Sequence, residues 1–166
     1  HILIASGAKP MHLGIPGEEH LIDNEAFLEM ERLPARVVLV GGGYVAAEFS
    51  HIAARAGAAV TILQRGPRLL PHFEPELVGW LMEAFEAIGV DVRTKTEVVA
   101  IERSGGSLIV HTETGGHKGS VEADVVVHAA GRTPALDELD LKAGGVAADR
   151  GPLLLNDYLQ SVSNPS

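Results

Sequence analysis

The chain has 166 residues, a formal net charge of −9, 46% apolar but only 4% aromatic residues, and no cysteine. This length fits one domain with short pieces of a neighbour. The acidic balance without a basic block argues against a nucleic-acid partner, no apolar run reaches the roughly 18 residues that span a membrane, and the lack of cysteine excludes disulfides and thiolate metal sites within the chain.

A core poor in aromatics must be built from Val, Ile, Leu and Ala, which suits a buried parallel sheet packed by helices. The N-terminus has no basic-then-apolar signal pattern, so a cytoplasmic location is the expectation. His1 runs directly into Ile2-Leu3-Ile4-Ala5, the pattern expected of a piece of a longer protein. That apolar stretch reads as a short strand, followed by a loop rich in Gly and Pro as far as Gly17. A short helix is predicted over residues 24–31, ending before Pro34 because the residue preceding a proline leaves the helical region.

Arg36-Val37-Val38-Leu39-Val40 reads as a buried strand between Pro34 and Gly41. Val45, Phe49, Ile52, Ala53 and Ala56 then fall on one helical face, with Gly57 as the stop. Val60-Thr61-Ile62-Leu63 is the next strand, completing a βαβ unit with a right-handed crossover. Pro75 opens a second helix, with Leu77, Val78, Leu81, Phe85 and Ile88 as its apolar face, and residues 90–93 form a third parallel strand. The period then becomes alternating. Residues 98–103 and 108–112 read as a hairpin around Ser104-Gly105-Gly106, and a third short strand is predicted near Ser120-Val121. Val125-Val126-Val127-His128-Ala129-Ala130 is another buried strand, and Gly131-Arg132-Thr133-Pro134 turns out of it. A strand over Leu153-Leu154-Leu155 is predicted in the tail. The fold class is therefore α/β: a Rossmann-type parallel sheet flanked by helices, with an antiparallel three-stranded meander.

Gly41-Gly42-Gly43-Tyr44-Val45-Ala46 occupies the strand-to-helix turn of the βαβ unit. Gly41 permits the tight turn, Gly43 lets the backbone touch a pyrophosphate, and Ala46 lets the helix pack closely on the sheet. The helix beginning at Tyr44 directs free N–H groups and the positive end of its dipole at an anion. Three glycines alone are a weak signal; their place between a strand and a helix, with a second strand following, makes the pattern specific for a dinucleotide. At the end of the second strand an NAD site usually carries a carboxylate for the ribose 2′-OH. Gln64 stands there instead, with Arg65 and Arg68 beyond it. A carboxylate would repel a 2′-phosphate by about 1–4 kcal/mol per unit charge at the effective dielectrics of water and protein surface, so its replacement beside guanidinium groups favours NADP over NAD. The alternative is that Arg65 and Arg68 only decorate a surface loop.

The segment from Gly41 through Phe49 resembles the nucleotide-binding fingerprint of the pyridine nucleotide–disulfide oxidoreductases, the family of glutathione reductase, dihydrolipoyl dehydrogenase and mercuric reductase. Ile2-Leu3-Ile4-Ala5-Ser6-Gly7 with the trailing Ile15-Pro16-Gly17, and the stretch from Ala123 to Pro134, resemble that family's flanking motifs. The tail from Gly151 to Pro165 resembles the approach to its second FAD motif. The resemblance divides the chain into the end of a first FAD-domain segment and linker (1–22), an NAD(P)-binding domain (23–134), and a return linker with the start of a second FAD segment (135–166). It implies that Gly41, Gly43, Val45 and Ala46 line the pyrophosphate and that Arg65 and Arg68 face the 2′-phosphate beside Gln64. Val98 would lie near the adenine and Gly131 near the nicotinamide half. Tyr44 would be the gate over the flavin, and Glu48 would face the flavin. Their bland alternatives are helix-start packing for Tyr44 and a dipole-favoured carboxylate in the first helical turn for Glu48.

Three departures stand out: Ser6 where Thr is usual, Pro71 where a second arginine is common, and Ala135 for a common Asn. The family's cysteine pair and C-terminal His-Glu pair are absent, so no catalytic residue is expected within these 166 residues, and the eight histidines show no metal-ligand spacing. The implied function is NADPH binding and hydride delivery to FAD in a glutathione-reductase-like parent, expected to be a homodimer. A dihydrolipoyl dehydrogenase or mercuric-reductase-like parent is the near alternative. A flavoenzyme reducing oxygen or a quinone, or a non-catalytic NAD(P) sensor, are the more distant ones.

Overall fold

The computed structural model describes residues 1–147 and 153–164. In chain order the elements are β1 (Ala8–Pro10), a 3-10 turn (Glu18–His20), β2 (Leu21–Ile22), α1 (Asn24–Leu28), β3 (Arg36–Val40), α2 (Tyr44–Arg55), β4 (Ala59–Leu63), α3 (Pro75–Ala87), β5 (Asp91–Arg93), β6 (Thr96–Ser104), β7 (Ser107–Thr114), β8 (His117–Ala123), β9 (Val125–His128) and β10 (Arg132–Pro134). They fall into two compact units: the unbroken stretch His12–Gly131, and a second unit made of His1–Met11 together with Arg132–Ser166.

In the first unit, a five-stranded sheet runs in the order β2-β9-β3-β4-β5 with every neighbouring pair parallel. Its central strands β3 and β9 are buried on both faces, and the side-chain alternation of a strand sorts the sheet's residues into two cores. Val37, Leu39, Val60, Ile62, Val125 and Val127 pack with Phe27, Ala46, Phe49, Ala53, Val78 and Phe85 of the helices. Val38, Val40, Leu63 and Val126 pack on the other face with Val98, Ile101, Leu108, Val110 and Ala123. That second face is covered by the antiparallel sheet β6-β7-β8, so helices cover one side and the meander the other. The hairpin turn is Gly105-Gly106, closed by the Ser104–Ser107 pair.

Local signals set the helix ends. Asp23 caps α1 by accepting from the Ala26 N–H at 2.8 Å, and Pro75 begins α3. The sheet's N-terminal end is fastened by Arg36, whose guanidinium meets Asp124 and, at 2.7 Å, Glu122. The hydrogen bonds from Arg36 hold the Asp124 carboxyl below its ordinary range. Three expected core positions are corrected. Ile52 and Leu77 are both more than half exposed, because each lies at the margin of its helix's apolar stripe, where Phe49 and Ala53, or Val78 and Phe85, already fill the contact with the sheet; Ala56 is exposed because α2 ends at Arg55 and leaves it as the C-cap. The helix predicted over 24–31 is also shorter, ending at Leu28.

The segment before α1 is anchored to the meander. The Ile101 N–H donates to the Pro16 carbonyl at 2.9 Å, and a Cβ on Gly17, whose φ is +80°, would lie 1.8 Å from the Ile101 carbonyl oxygen. Beside it the Glu18 carboxylate accepts from the Leu13 and Gly14 N–H groups at 2.7 and 2.9 Å, with His12 Nδ1 at 3.4 Å. The Leu13 N–H is the main cause that holds the Glu18 carboxyl below the ordinary glutamate value of 4.5. A lowered folded-state pKa adds stability above the unfolded value that is lost as the pH falls through the folded one. Glu18→Gln is therefore expected to melt lower than the parent at neutral pH. The gap should close on acidification below 4.5; thermal melts from about pH 7 to about pH 3 check this, and a gap independent of pH would refute it.

In the second unit, β1 pairs antiparallel with β10, Ala8 opposite Pro134, and Lys9 forms an ion pair with Asp137. The strand predicted over Ile2-Leu3-Ile4-Ala5 is not formed. Ile2 and Leu3 are almost fully exposed, since a strand needs a hydrogen-bonding neighbour and none of the described residues supplies one. Leu153-Leu154-Leu155 likewise forms no continuous strand; Leu155 makes an isolated antiparallel bridge with Ser161. Gly151, Pro152 and Pro165 of the motif-like tail lie outside the described residues.

Candidate functional site

The strand order reverses beside β3. From β3 the chain moves to β4 and β5 on one side, then returns through β9 on the other. In open α/β sheets a ligand binds outside the carboxyl ends of the strands at such a reversal. Register places His128, Val40, Leu63 and Arg93 in one row across the sheet. The residues that follow them, Ala129, Gly41 and Gln64, therefore share the carboxyl edge. The Gly41 N–H donates to the Leu63 carbonyl at 2.9 Å, and the Ala129 N–H to the Val40 carbonyl at 2.8 Å.

The three glycines differ in what surrounds them. Gly41 has a φ of +114°, and a Cβ there would lie 2.3 Å from the Ala129 carbonyl oxygen and 2.6 Å from Ala130 Cα. It is a glycine because two backbones cross. A Cβ on Gly42 would meet Leu69 Cδ2 at 2.7 Å and Gln64 Cδ at 2.8 Å, a constraint that nothing local in the sequence reveals. Gly43 has an ordinary φ of −84°, and its Cβ would meet nothing nearer than the Ala129 oxygen at 3.9 Å. No protein atom crowds a side chain there, so what favours glycine is its place as the N-cap of α2 and the room it would leave for a group held against that backbone.

Gly43 is also the N-cap of α2, with no side-chain cap and no acid in the first turn. The first intrahelical bond around this turn runs from Ala47 N–H to Gly43 O at 3.1 Å, which leaves the preceding N–H groups of Tyr44, Val45 and Ala46 directed outward, as helix starts do. Ala46 is fully buried against the sheet. Uncapped amides, the positive end of a helix dipole and an open glycine flank together suit a diphosphate.

Tyr44 is exposed, and Glu48, four residues on, shares its stripe of α2. Glu48 is the fifth helical residue, past the first turn that a dipole effect would favour. The Arg65 side chain is exposed and forms no hydrogen bond or ion pair among the described residues, whereas Arg68 Nη2 donates to the Pro71 carbonyl. Gln64 is half-buried, and its Nε2 donates to the Arg68 carbonyl at 3.1 Å. Val98 is only 8% exposed and belongs to the core beneath the meander, next to an irregularity between Val98 and Ala100; its side chain offers little surface to an adenine. Gly131, with a φ of +115°, follows the strand that flanks the glycine turn. Among the described residues no cluster of three or more His, Asp or Glu side chains could hold a metal, and no helix is long and apolar enough to cross a membrane.

Comparison with known proteins finds relatives both by sequence and by fold. A family profile described as pyridine nucleotide-disulphide oxidoreductase matches residues 1–166. The chain is 34% identical over 165 residues to a mercuric reductase of Staphylococcus aureus, covering 98% of this chain and 30% of that protein. It is 34% identical over 164 residues to a glutathione reductase of Burkholderia cepacia (99% and 36%), and 32% identical over 164 residues to a mitochondrial dihydrolipoyl dehydrogenase of Pisum sativum (95% and 32%). Among solved structures, the HOCl-induced flavoprotein disulfide reductase RclA of Escherichia coli superposes with a TM-score of 0.87 at 26% identity, over 97% of this chain and 37% of that one. The chain thus spans about a third of the length of these relatives.

Proposed function

The chain belongs to the pyridine nucleotide-disulphide oxidoreductase family, and from that premise we propose that it is the NAD(P)H-binding portion of an FAD-dependent disulfide oxidoreductase of glutathione-reductase type, using NADPH. Residues 23–134 would form the nucleotide domain, with 1–22 and 135–166 belonging to the flanking FAD segments. The observation that carries this reading is the turn at the strand-order reversal, where Gly41 is closed in by backbone and Gly43 is open.

When bound, the nicotinamide would supply a hydride and FAD, held mainly by the rest of a homodimeric parent, would accept it; the chemistry is the cofactors' own. The chain's residues bind and orient. The N–H groups at the start of α2 hold the diphosphate, and Val45 and Ala46 set how closely that helix approaches the sheet. Arg65 neutralises the 2′-phosphate. Tyr44 and Glu48 face the flavin side from their exposed stripe, and Gly131 leaves room beside the nicotinamide. Mercuric, glutathione and dihydrolipoyl relatives match at 34, 34 and 32% identity and do not separate these types; the NADPH preference rests on Arg65 and the neutral Gln64.

Calorimetric titration with NADPH and NADH tests it. NADPH is expected to bind more tightly, and Arg65→Ala should weaken NADPH by about fivefold, an exposed charge-assisted contact discounted for solvent screening, while leaving NADH unchanged. Equal affinities in the parent chain, or equal losses for both nucleotides in Arg65→Ala, would overturn the assignment.

A further inference from the structure

We infer that Gln64 is a positioning residue: its amide clamps the Arg65–Arg68 loop onto the glycine turn, so the loop's nucleotide preference depends on a hydrogen-bond donor at position 64. Three observations place it in that role. Its stem fills the space that a Cβ on Gly42 would need, with Cγ and Cδ at 2.9 and 2.8 Å from that position. On its other side, Nε2 lies 3.1 Å from where a Cβ on Gly66 would stand, and the same nitrogen donates to the Arg68 carbonyl at 3.1 Å. The loop is also tied to the glycine turn by its backbone, because the Leu70 N–H donates to the Gly42 carbonyl at 2.7 Å.

The Arg68 carbonyl can only accept, which fixes the orientation of the amide with its nitrogen toward the loop. The backbone of Gln64 is held as firmly: its N–H donates to the Arg93 carbonyl at 2.9 Å, and its carbonyl accepts from Thr96 at 3.0 Å. A glutamate of the same shape has no proton to give at neutral pH and would set a carboxylate against a carbonyl oxygen. Exchanging Gln64 for a carboxylate therefore releases the loop rather than converting the site to NAD.

The inference rests on the dinucleotide reading only for its binding arm. Gln64→Met and Gln64→Glu, both close in shape to the parent, are compared with the parent chain by amide hydrogen exchange and by titration with NADPH and NADH. The Leu70 amide is expected to exchange about three- to tenfold faster in both variants, as the loss of one hydrogen bond implies, while Leu39 in β3 stays protected and shows the fold intact. NADPH affinity should fall by a similar factor, about three- to tenfold, and Gln64→Glu should gain no preference for NADH. Unchanged Leu70 exchange in Gln64→Met, or tighter NADH than NADPH binding by Gln64→Glu with Leu70 still protected, overturns the clamp. A parent chain that binds neither nucleotide would remove the dinucleotide reading alone, since Leu70 exchange still decides whether the clamp exists.

Discussion

Gly43→Ala is expected to weaken NADPH binding by on the order of a hundredfold, the loss of two charge-assisted hydrogen bonds to a phosphate, while the chain still folds. The backbone there has a φ of −84° that alanine adopts freely, and the added carbon would meet no protein atom closer than 3.9 Å. Alanine is a poorer helix cap than glycine, so the thermal midpoint should drop by no more than about 3 °C for a chain of this size. The methyl would instead stand where the diphosphate must touch the amides. Parallel titration and thermal melts check both halves. Unimpaired NADPH binding by a folded Gly43→Ala would mean that the diphosphate does not sit on this turn.

Two residues earlier the same substitution should have the opposite character. Gly41→Ala is expected to cost about 3 kcal/mol or more of stability from backbone strain and steric overlap, seen as a fall in midpoint of about 6 °C or more. Every atom that the new carbon would strike is main chain: the Ala129 oxygen at 2.3 Å, the Ala129 carbonyl carbon at 2.4 Å and Ala130 Cα at 2.6 Å. None of these can turn aside as a side-chain tip could, and the φ of +114° is strained for any L side chain. Relief would require the exit from β9 to retreat from β3, which opens the edge where the nucleotide would lie. Affinity should therefore fall along with stability in Gly41→Ala, whereas in Gly43→Ala affinity falls nearly alone. A Gly41→Ala chain that melts with the parent would show that β9 can yield.

The contrast marks how far the sequence could be read. The β-branched run from Val37 to Val40, the glycines after it and the alternation of residues 98–112 are local signals, and the βαβ unit and meander followed from them. What separates Gly41 from Gly43 is not local, because it depends on Ala129, nearly ninety residues away, arriving beside β3 in one particular register. β2 has only two residues, Leu21 and Ile22, and exists because β9 offers it an edge; no periodicity can report so short a strand. Ile2-Leu3-Ile4-Ala5 carries strand composition without a pairing neighbour among the described residues, so composition alone misled there. In the sequence Gln64 stands out only for the carboxylate it lacks. That its amide nitrogen holds Arg68 emerges only once the loop is folded over Gly42.

The residues proposed to hold the nucleotide, from the glycine turn to Gly131, fall within the continuous run His12–Gly131, whereas the other compact unit is assembled from both ends of the chain. A gene would need only two breakpoints to transplant that run whole, with its strand register and both hydrophobic faces intact. Coenzyme preference could then be inherited as a cassette, swapped between relatives in one recombination event instead of being rebuilt by successive point mutations.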